Sequence, residues 1–371
     1  MIGCKPSCLA HISAPFRPIA TAMSSQTSQN LFSNFWLFAS TLIVGQPPSA
    51  GFVMADSSVK YQLVSYSGKF QHDWDSLVAS ARNSHFLFFR EFLEYHADRF
   101  KDASLLLFRQ DKAIALLPAH IENNELHSHS GLTFGGWIVA PDCRYEDLEA
   151  GFELLEQEMR RQNLYRLLYR PVPFPYQSEP CGDDQYLLQQ RGARCESVLL
   201  GAFMTTSTDR LSKKQLRKNL RKAEEQFPCQ FQETDDLDRF WQLLSRFLHE
   251  RHGSTPVHSL AEIKLLKSRF PENIRCVVAH HGDEWYGGEV IFLSRQVTRF
   301  QYGFRTLEQP LSNIHLRLFE WIRRQPDYTR PWIDLGTSMD PASGQLQKSL
   351  HRHKENLGCR GIPLLTLVWD L

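Results

Sequence analysis

The alternation of apolar and polar residues predicts two similar units along the chain. Residues 105–136 show three short runs typical of β-strands, separated by turns, and residues 276–304 show the same order. An amphipathic helix follows each block, and both helices end in the tripeptide Arg-Arg-Gln, at residues 160–162 and 323–325. Because several elements recur at a nearly constant offset, the pattern predicts a duplicated α/β unit. The alternative is that any two segments of hairpin and helix resemble each other.

The first 55 residues differ from the rest of the chain. They are rich in Ser, Pro and Ala, and their apolar run, residues 35–44, is too short for a bilayer span of about 20 residues. We expect residues 1–55 to be disordered, or to precede the true start of the protein at Met54. A signal-peptide core is the alternative interpretation of the apolar run.

A polar stretch at residues 205–210 divides the remaining chain into two halves. Ser212 and Gln215 follow it with the spacing of a capping box, which predicts the start of a helix. The sequence therefore predicts an N-terminal half, residues 56–205, and a C-terminal half, residues 206–371, each the size of an ordinary domain.

Composition describes a globular protein without a strong global charge. Hydrophobic residues make up 42% and charged residues 22% of the 371 residues, and the net charge is +1. Such a balance predicts no general attraction to DNA or to a membrane surface. The eight cysteines form no C-x-x-C pair, which excludes a zinc ribbon and fits a reducing compartment. We therefore expect a cytoplasmic protein with no transmembrane segment.

One helix concentrates positive charge. The segment SKKQLRKNLRKAEEQF has leucines at helical spacing on one face and cations on the other. The cations are Lys213, Lys214, Arg217, Lys218, Arg221 and Lys222. Because like charges at i and i+4 repel, this face favours a polyanionic partner, such as a phosphate-bearing donor, tRNA or an anionic lipid surface. A solvated surface face is the alternative.

Three titratable residues on adjacent predicted elements are candidates for acid–base chemistry. Glu289 follows two glycines in the middle strand of the second block, and Tyr302 lies in the next strand. Asp334 interrupts an apolar strand, where a buried carboxylate needs partners. Hydrogen bonding to loop amides is the alternative role for Asp334. The histidines do not have metal-ligand spacing, so we predict no metal site.

Two loops are candidates for ligand binding. Residues 129–136 contain Gly131, Gly135 and Gly136, which permit close approach of the backbone to a ligand; a tight turn is the alternative. After the strand that ends at Arg305, Ser312 or Asn313 caps the next helix, and a helix N-terminus after a strand attracts anions.

The C-terminal half resembles the GNAT-related acyltransferase domain of Fem-type peptidyltransferases and of acyltransferases from bacterial polysaccharide gene clusters. The resemblance rests on the basic helix, the Gly287-Gly288 pair, the strands FQYGF and IDLG and the ending LHRHKENLGCRG, in that order. In the N-terminal half it rests on FLFFREFLEYHADRFKDASLLLF, SHSGLTFGG and PVPFPYQSEP. It implies an α/β fold of two tandem GNAT-like domains, each a mixed, mostly antiparallel sheet flanked by helices.

The resemblance also implies roles for individual residues. Glu289 or Asp334 would be the base, and Tyr302 is the nearest substitute for the acid that protonates the leaving group. Acetyl-CoA or another acyl-CoA would be the co-substrate, held by a donor set: Gln301, Gly303, Arg305, Ser312, Asn313 and Lys354. The acceptor would meet a second set: His129, Gly131, Thr133, His258 and Ser338.

The implied function is N-acylation of an amino sugar or similar amine in cell-surface polysaccharide synthesis. The chain departs from the GNAT pattern after Arg305, where TLEQP stands in place of a glycine-containing pyrophosphate loop. Aminoacyl transfer from tRNA, as in Fem-type enzymes, is therefore an open alternative. A non-catalytic binding protein on the same fold is the other.

Overall fold

A computed structural model describes most of the chain after residue 60. The described residues are 61–207, 214–226, 228–305, 314–340 and 343–371. The predictions for residues 1–55 and for Lys213, Ser312 and Asn313 lie outside them. Residues Ser58–Leu371 form one compact unit.

The described residues form fifteen β-strands. In chain order they are β1 (Tyr61–Ser65), β2 (Lys101–Asp102), β3 (Leu105–Arg109), β4 (Lys112–Leu117), β5 (His120–Glu122), β6 (Glu125–His127), β7 (Ile138–Val139), β8 (Arg166–Tyr169), β9 (Arg194–Thr205), β10 (Gln230–Glu233), β11 (Ile274–His281), β12 (Glu284–Leu293), β13 (Val297–Arg305), β14 (Trp332–Thr337) and β15 (Arg360–Asp370).

Nine α-helices occur in the same part of the chain. They are α1 (Gln71–Ser80), α2 (Arg90–Leu93), α3 (Tyr145–Arg161), α4 (Asp183–Gln190), α5 (Lys214–Gln226), α6 (Leu237–His252), α7 (Leu260–Arg269), α8 (Ile314–Arg324) and α9 (Lys348–Leu357).

The strands form two sheets with helices against them. The smaller sheet has the order β1-β3-β4-β7, and the larger has the order β10-β11-β12-β13-β14-β9-β15-β8-β6-β5-β2. Strand β13 is parallel to β14 and β6 to β8, whereas the other pairs are antiparallel. The predicted mixed, mostly antiparallel α/β architecture is confirmed.

The first predicted meander is divided between the two sheets. The turns after β3 and β5 occur where the sequence predicts them, but β4 ends at Leu117 and β5 starts at His120 in the other sheet. Pro118 lies at this break, and because it has no N–H to donate it does not continue a strand ladder. The prediction of one three-stranded meander over residues 105–136 is therefore wrong, whereas β11, β12 and β13 form the second meander as predicted.

The two halves exchange their last strands. Strand β9, which ends the N-terminal half, lies between β14 and β15 of the C-terminal half. Strand β15, which ends the chain, lies between β9 and β8 of the N-terminal half. The antiparallel β9–β15 ladder runs from the pair Phe203–Arg360 to the pair Arg194–Val368. Each half therefore completes its sheet with a strand of the other, which explains why residues Ser58–Leu371 are one compact unit.

The sheet of the C-terminal half buries different residues on its two faces. On one face, Phe240 and Trp241 of α6 pack against Phe304 and Tyr302 of β13. On the other face, apolar residues of β11 and β12 form a cluster with Ile314, Leu318 and Ile322 of α8. We refer to these as the α6 face and the α8 face.

The strand exchange predicts that neither half folds alone. A fragment of residues 206–371 leaves β14 and β15 without β9, so we expect no cooperative unfolding transition in urea, measured by far-ultraviolet circular dichroism. A fragment of residues 58–371 is the control and should show one transition. Cooperative unfolding of the 206–371 fragment at the same urea midpoint would contradict the prediction.

Candidate functional site

Strands β13 and β14 separate partway along their length. They pair only at Val297–Trp332, Thr298–Ile333 and Arg299–Asp334. Beyond Arg299, β13 pairs with β12 along one edge, and no described strand pairs with its other edge. Backbone N–H and C=O groups on such an edge need other partners, which a ligand can supply.

A β-bulge lies in β13 just beyond the point of separation. The ladder with β12 pairs Val290 with Tyr302 and Ile291 with Phe300, which leaves Gln301 as the extra residue. A bulge redirects the side chains next to it and increases the local twist. It therefore changes the direction of β13 at the position where the strand loses its neighbour.

A buried ion pair holds the two strands together where they separate. The Arg299 Nη1 donates to Asp334 Oδ2 at 2.5 Å, and the Tyr176 hydroxyl donates to the same oxygen at 2.7 Å. The Gly336 N–H donates to Asp334 Oδ1 at 2.6 Å, and only 1% of Asp334 is exposed. Burial alone would lower the pKa of Arg299, but Asp334 and Tyr176 raise it well above its usual value.

This arrangement uses both carboxylate oxygens of Asp334. Tyr176 belongs to the proline-rich loop of the N-terminal half, so the ion pair also joins the two halves. Asp334 was predicted as a candidate base, and the structure gives it the alternative environment of a carboxylate held by neighbouring donors.

His258 and Tyr302 form a second polar pair. The His258 Nδ1 lies 2.6 Å from the Tyr302 hydroxyl, and the backbone N–H of His258 donates to that hydroxyl at 3.4 Å. Burial lowers the pKa of His258 to about 4 and raises the pKa of Tyr302. The imidazole is therefore neutral and the phenol protonated at neutral pH. Both residues were predicted for the site, and the structure brings them into contact.

A pocket lies between the two halves next to the ion pair. Its volume is small, about 40 Å³, and both halves contribute to its wall. Four of its residues are in the predicted set: Gly131, Thr133, His258 and Gln301. Three more polar side chains of the wall were not predicted: His85, Tyr176 and Arg299.

Glu289 lies apart from this pocket. Its carboxylate is 8% exposed, and Oε1 is 3.1 Å from the His315 Nδ1 of α8. Burial raises the pKa of Glu289, and the neighbouring His315 opposes that shift. A Cβ on Gly303 would lie 2.6 Å from the carboxylate oxygens, so the close packing requires glycine there. Because Gly303 and Tyr302 point to opposite faces of β13, Glu289 is on the α8 face and Tyr302 on the α6 face.

The structure thus places the three predicted acid–base residues in three environments. Asp334 is in the ion pair, Tyr302 contacts His258, and Glu289 contacts His315. They do not form one catalytic cluster.

Lys354 and Ser338 lie at the end of β14. The Lys354 Nζ donates to the carbonyl oxygens of Thr337 at 2.7 Å and Gly336 at 3.3 Å, which ties α9 to that strand. Burial lowers the pKa of Lys354 to about 8. Ser338 is fully buried, and its Oγ has no hydrogen-bond partner among the described residues. Neither side chain is part of the pocket wall described above.

His129 belongs to a cluster of buried rings in the N-terminal half. It packs against His96, Phe100 and His120. Burial lowers the pKa of His129 to about 3, so the ring is neutral at neutral pH. The neighbouring Gly131 and Thr133 line the pocket, whereas His129 does not.

The basic face of α5 is exposed where the structure describes its side chains. These residues are Arg217, Lys218, Arg221 and Lys222. Arg221 lies 3.6 Å from Glu225 one turn later. Lys214 is the first residue of α5, and Arg305 is the half-buried last residue of β13.

Part of the chain matches a known domain family. Residues 210–343 match the model of the acetyltransferase (GNAT) domain. No curated protein has a significantly similar sequence.

Solved structures extend the similarity to both halves. The crystal structure of FemX superposes with a TM-score of 0.61 at 10% identity, covering 84% of this chain and 97% of that one. The C-terminal domain of a putative lysylphosphatidylglycerol synthetase from Agrobacterium fabrum has a TM-score of 0.53 at 9% identity, with 81% and 92% covered. A conserved protein of unknown function from Bacteroides thetaiotaomicron has a TM-score of 0.52 at 10% identity, with 80% and 96% covered.

The domain match and the fold together define a class. The chain has the GNAT-related fold seen in FemX. The GNAT domain match over residues 210–343 supports an acyltransferase enzyme. In the part of the chain that the structure describes, no helix has the length and apolar character needed to cross a bilayer.

Breaking the ion pair should destabilise the protein. Asp334→Asn leaves the Arg299 guanidinium without its counter-charge, so we expect a loss of about 3 kcal/mol in the free energy of unfolding. Tyr176→Phe removes one hydrogen bond to a charged group and should cost about 1–2 kcal/mol. Urea unfolding measures both values. The exposed Asp98→Asn is the control, with less than about 0.5 kcal/mol expected. An Asp334→Asn cost no larger than the control would contradict a structural role for this carboxylate.

Proposed function

We propose that the protein transfers an acyl group from acetyl-CoA or another acyl-CoA to a primary amine, on an amino sugar or a similar compound used in cell-surface polysaccharide synthesis. The observation that carries this proposal is the position of the unpaired edge of β13 beside a pocket built by both halves. The donor would lie along that edge and the acceptor in the pocket, so that the two reactants meet near Gln301.

The unpaired edge suits the electrostatic demands of acyl transfer. When the amine nitrogen attacks the thioester carbon, negative charge develops on the carbonyl oxygen. Backbone N–H groups that are already fixed in position stabilise such an oxyanion. We assign this role to β13 beyond Arg299, with Gln301, Gly303 and Arg305 along the donor. Ser312 and Asn313, which precede α8 in the sequence, remain in the proposal as contacts for the donor phosphates.

The His258–Tyr302 pair suits the proton transfers. As the C–N bond forms and the C–S bond breaks, the nitrogen loses a proton and the sulfur gains one. We propose that His258 accepts the amine proton at Nε2 while the proton on its Nδ1 passes to the Tyr302 oxygen. The original hydroxyl proton of Tyr302 is transferred to the leaving sulfur. The 2.6 Å contact between Nδ1 and the phenol permits this relay without movement of either ring.

The pocket suits the amine group of the acceptor, because its volume of about 40 Å³ admits a small polar group. Its wall contains hydrogen-bonding side chains, among them His85, Tyr176, Thr133 and Gln301. Asp334 acts indirectly, because it holds Arg299 and Tyr176 in this wall. Glu289 is the competing candidate for the base, and it would have to act from the α8 face.

Substitution of Tyr302 tests the relay. Tyr302→Phe should lower kcat by about 10²–10⁴-fold, since general acid–base catalysis contributes on that order. Thioester consumption measures the rate. The exposed Tyr186→Phe is the matched control and should keep full activity. A Tyr302→Phe enzyme with normal kcat, together with an inactive but folded Glu289→Gln enzyme, would instead assign the chemistry to Glu289.

A second candidate function is aminoacyl transfer from tRNA. It is favoured by the exposed cations of α5 and by the sequence TLEQP, which lacks the glycines of a pyrophosphate loop. A helix face with several exposed cations can bind a phosphate backbone through salt-dependent contacts.

Donor consumption decides between the two functions. The purified protein is given acetyl-CoA with an amino-sugar acceptor, or charged tRNA with a peptidoglycan-like acceptor. We expect consumption of acetyl-CoA, and the double substitution of Lys218 and Lys222 by Glu should leave its KM within about twofold, because neither lysine belongs to the residues assigned to that donor. Consumption of charged tRNA alone, with a KM that rises with salt and on the double substitution, would contradict the acyl-CoA proposal.

A further inference from the structure

The hairpin formed by β5 and β6 has a nearly palindromic sequence, in which only Ile121 and Leu126 differ. It reads His-Ile-Glu-Asn-Asn-Glu-Leu-His, residues 120–127. Asn123 and Asn124 have φ angles of 51° and 59°, which is the geometry of a tight two-residue hairpin turn. The register pairs His120 with His127 and Glu122 with Glu125. Because side chains alternate along a strand, both histidines and both glutamates lie on one face.

The two histidine rings on this face have unused nitrogens. The ring centroids are 4.8 Å apart, and the Nε2 atoms of His120 and His127 are buried with no hydrogen-bond partner among the described residues. His120 is only 1% exposed. A buried polar atom without a partner costs free energy, so a ligand at this position would be stabilising.

Glu122 completes a set of three potential ligands. One ligand atom from each of His120, Glu122 and His127 lies within 4.8 Å of the other two. The Glu122 carboxylate is 3.7 Å from the His120 Nε2, and its side chain is 58% exposed. Two histidines and a carboxylate are a recognised ligand set for Zn²⁺, with a fourth position left for water. Solvent can reach that position past Glu122.

Ser130 contacts both histidine rings: one contact favours ion binding, and the other is lost when an ion binds. The Ser130 Oγ is 3.3 Å from the His127 Nδ1 and can accept a hydrogen bond from an Nδ1–H, which leaves the His127 Nε2 lone pair for an ion. The Ser130 N–H donates to the His120 Nδ1 at 3.3 Å. An ion at the His120 Nε2 moves the ring proton to Nδ1, so this long hydrogen bond is lost.

Glu125 is held beside the site by its own partners. Its Oε1 accepts from the Tyr165 hydroxyl at 2.6 Å and from Arg166 at 3.1 Å. The other oxygen, Oε2, is 3.5 Å from the His127 Nε2. Glu125 therefore places a carboxylate oxygen next to the site, while Arg166 offsets its charge.

We propose that His120, Glu122 and His127 bind one divalent transition-metal ion, with Zn²⁺ as the best match. The site is separate from the acyl-transfer pocket, because none of the three residues is part of that pocket wall. An ion bound there would cross-link β5 to β6 and increase the stability of the N-terminal half. The spacing of the histidines predicts no metal site, because it does not match helical motifs such as H-E-x-x-H, whereas the pairing of β5 with β6 brings His120 and His127 together.

Metal binding by the full chain tests the proposal. The chelator-treated protein is titrated with Co²⁺, whose visible absorption reports a low coordination number with nitrogen and oxygen ligands. Zn²⁺ binding is measured by equilibrium dialysis. We expect one ion per chain and a rise in Tm with Zn²⁺. Glu122→Gln and His127→Gln should each weaken binding by roughly tenfold or more and remove the rise in Tm.

The exposed His72→Gln on α1 is the matched control and should bind like the wild type. Glu122 is on the surface, so its substitution keeps the test valid even if a histidine variant fails to fold. Failure of the wild type to bind Zn²⁺ or Co²⁺ would overturn the proposal. So would an affinity that is the same in the wild type, Glu122→Gln and His127→Gln, because the ion would then bind elsewhere.

Discussion

The ion pair between Arg299 and Asp334 is the interaction on which the rest of the site depends. It lies at the last paired position of β13 and β14, so it fixes where the cleft between these strands opens. Tyr176 reaches the same carboxylate from the N-terminal half, and Arg299 also lines the pocket next to Gln301. One buried carboxylate therefore sets the strand register, the position of the other half and part of the pocket wall.

The exchange of closing strands gives the duplication a physical meaning. Because β9 and β15 each complete the sheet of the opposite half, the pocket between the halves does not depend on a flexible domain interface. Both halves place four strands side by side, β1-β3-β4-β7 and β10-β11-β12-β13, but the N-terminal half inserts β5 and β6 between β4 and β7 along the chain. The polar pair formed by His258 and Tyr302 belongs to the C-terminal half, and the N-terminal half closes the pocket with Gly131, Thr133 and Tyr176.

Local patterns predicted what local forces decide. The helix that begins at Tyr145 and the meander of β11 to β13 follow from hydrophobic periodicity, and the structure brings His258 and Tyr302, both predicted for the site, into contact. Long-range contacts were not predictable in this way. Periodicity does not show that the chain changes sheets at Pro118, or that Tyr176 reaches Asp334. The near-palindrome of residues 120–127 is visible in the sequence, but its meaning requires the hairpin register that places both histidines on one face.

Hydrogen–deuterium exchange tests whether the donor binds along the unpaired edge of β13. Exchange is measured with and without a non-hydrolysable acyl-CoA analogue. We predict slower exchange in β13 beyond Arg299, because the ligand supplies the missing partners for those N–H groups. We predict little change in β10 or β11. Unchanged exchange in residues 300–305 at a saturating analogue concentration, or protection confined to another region, would contradict it.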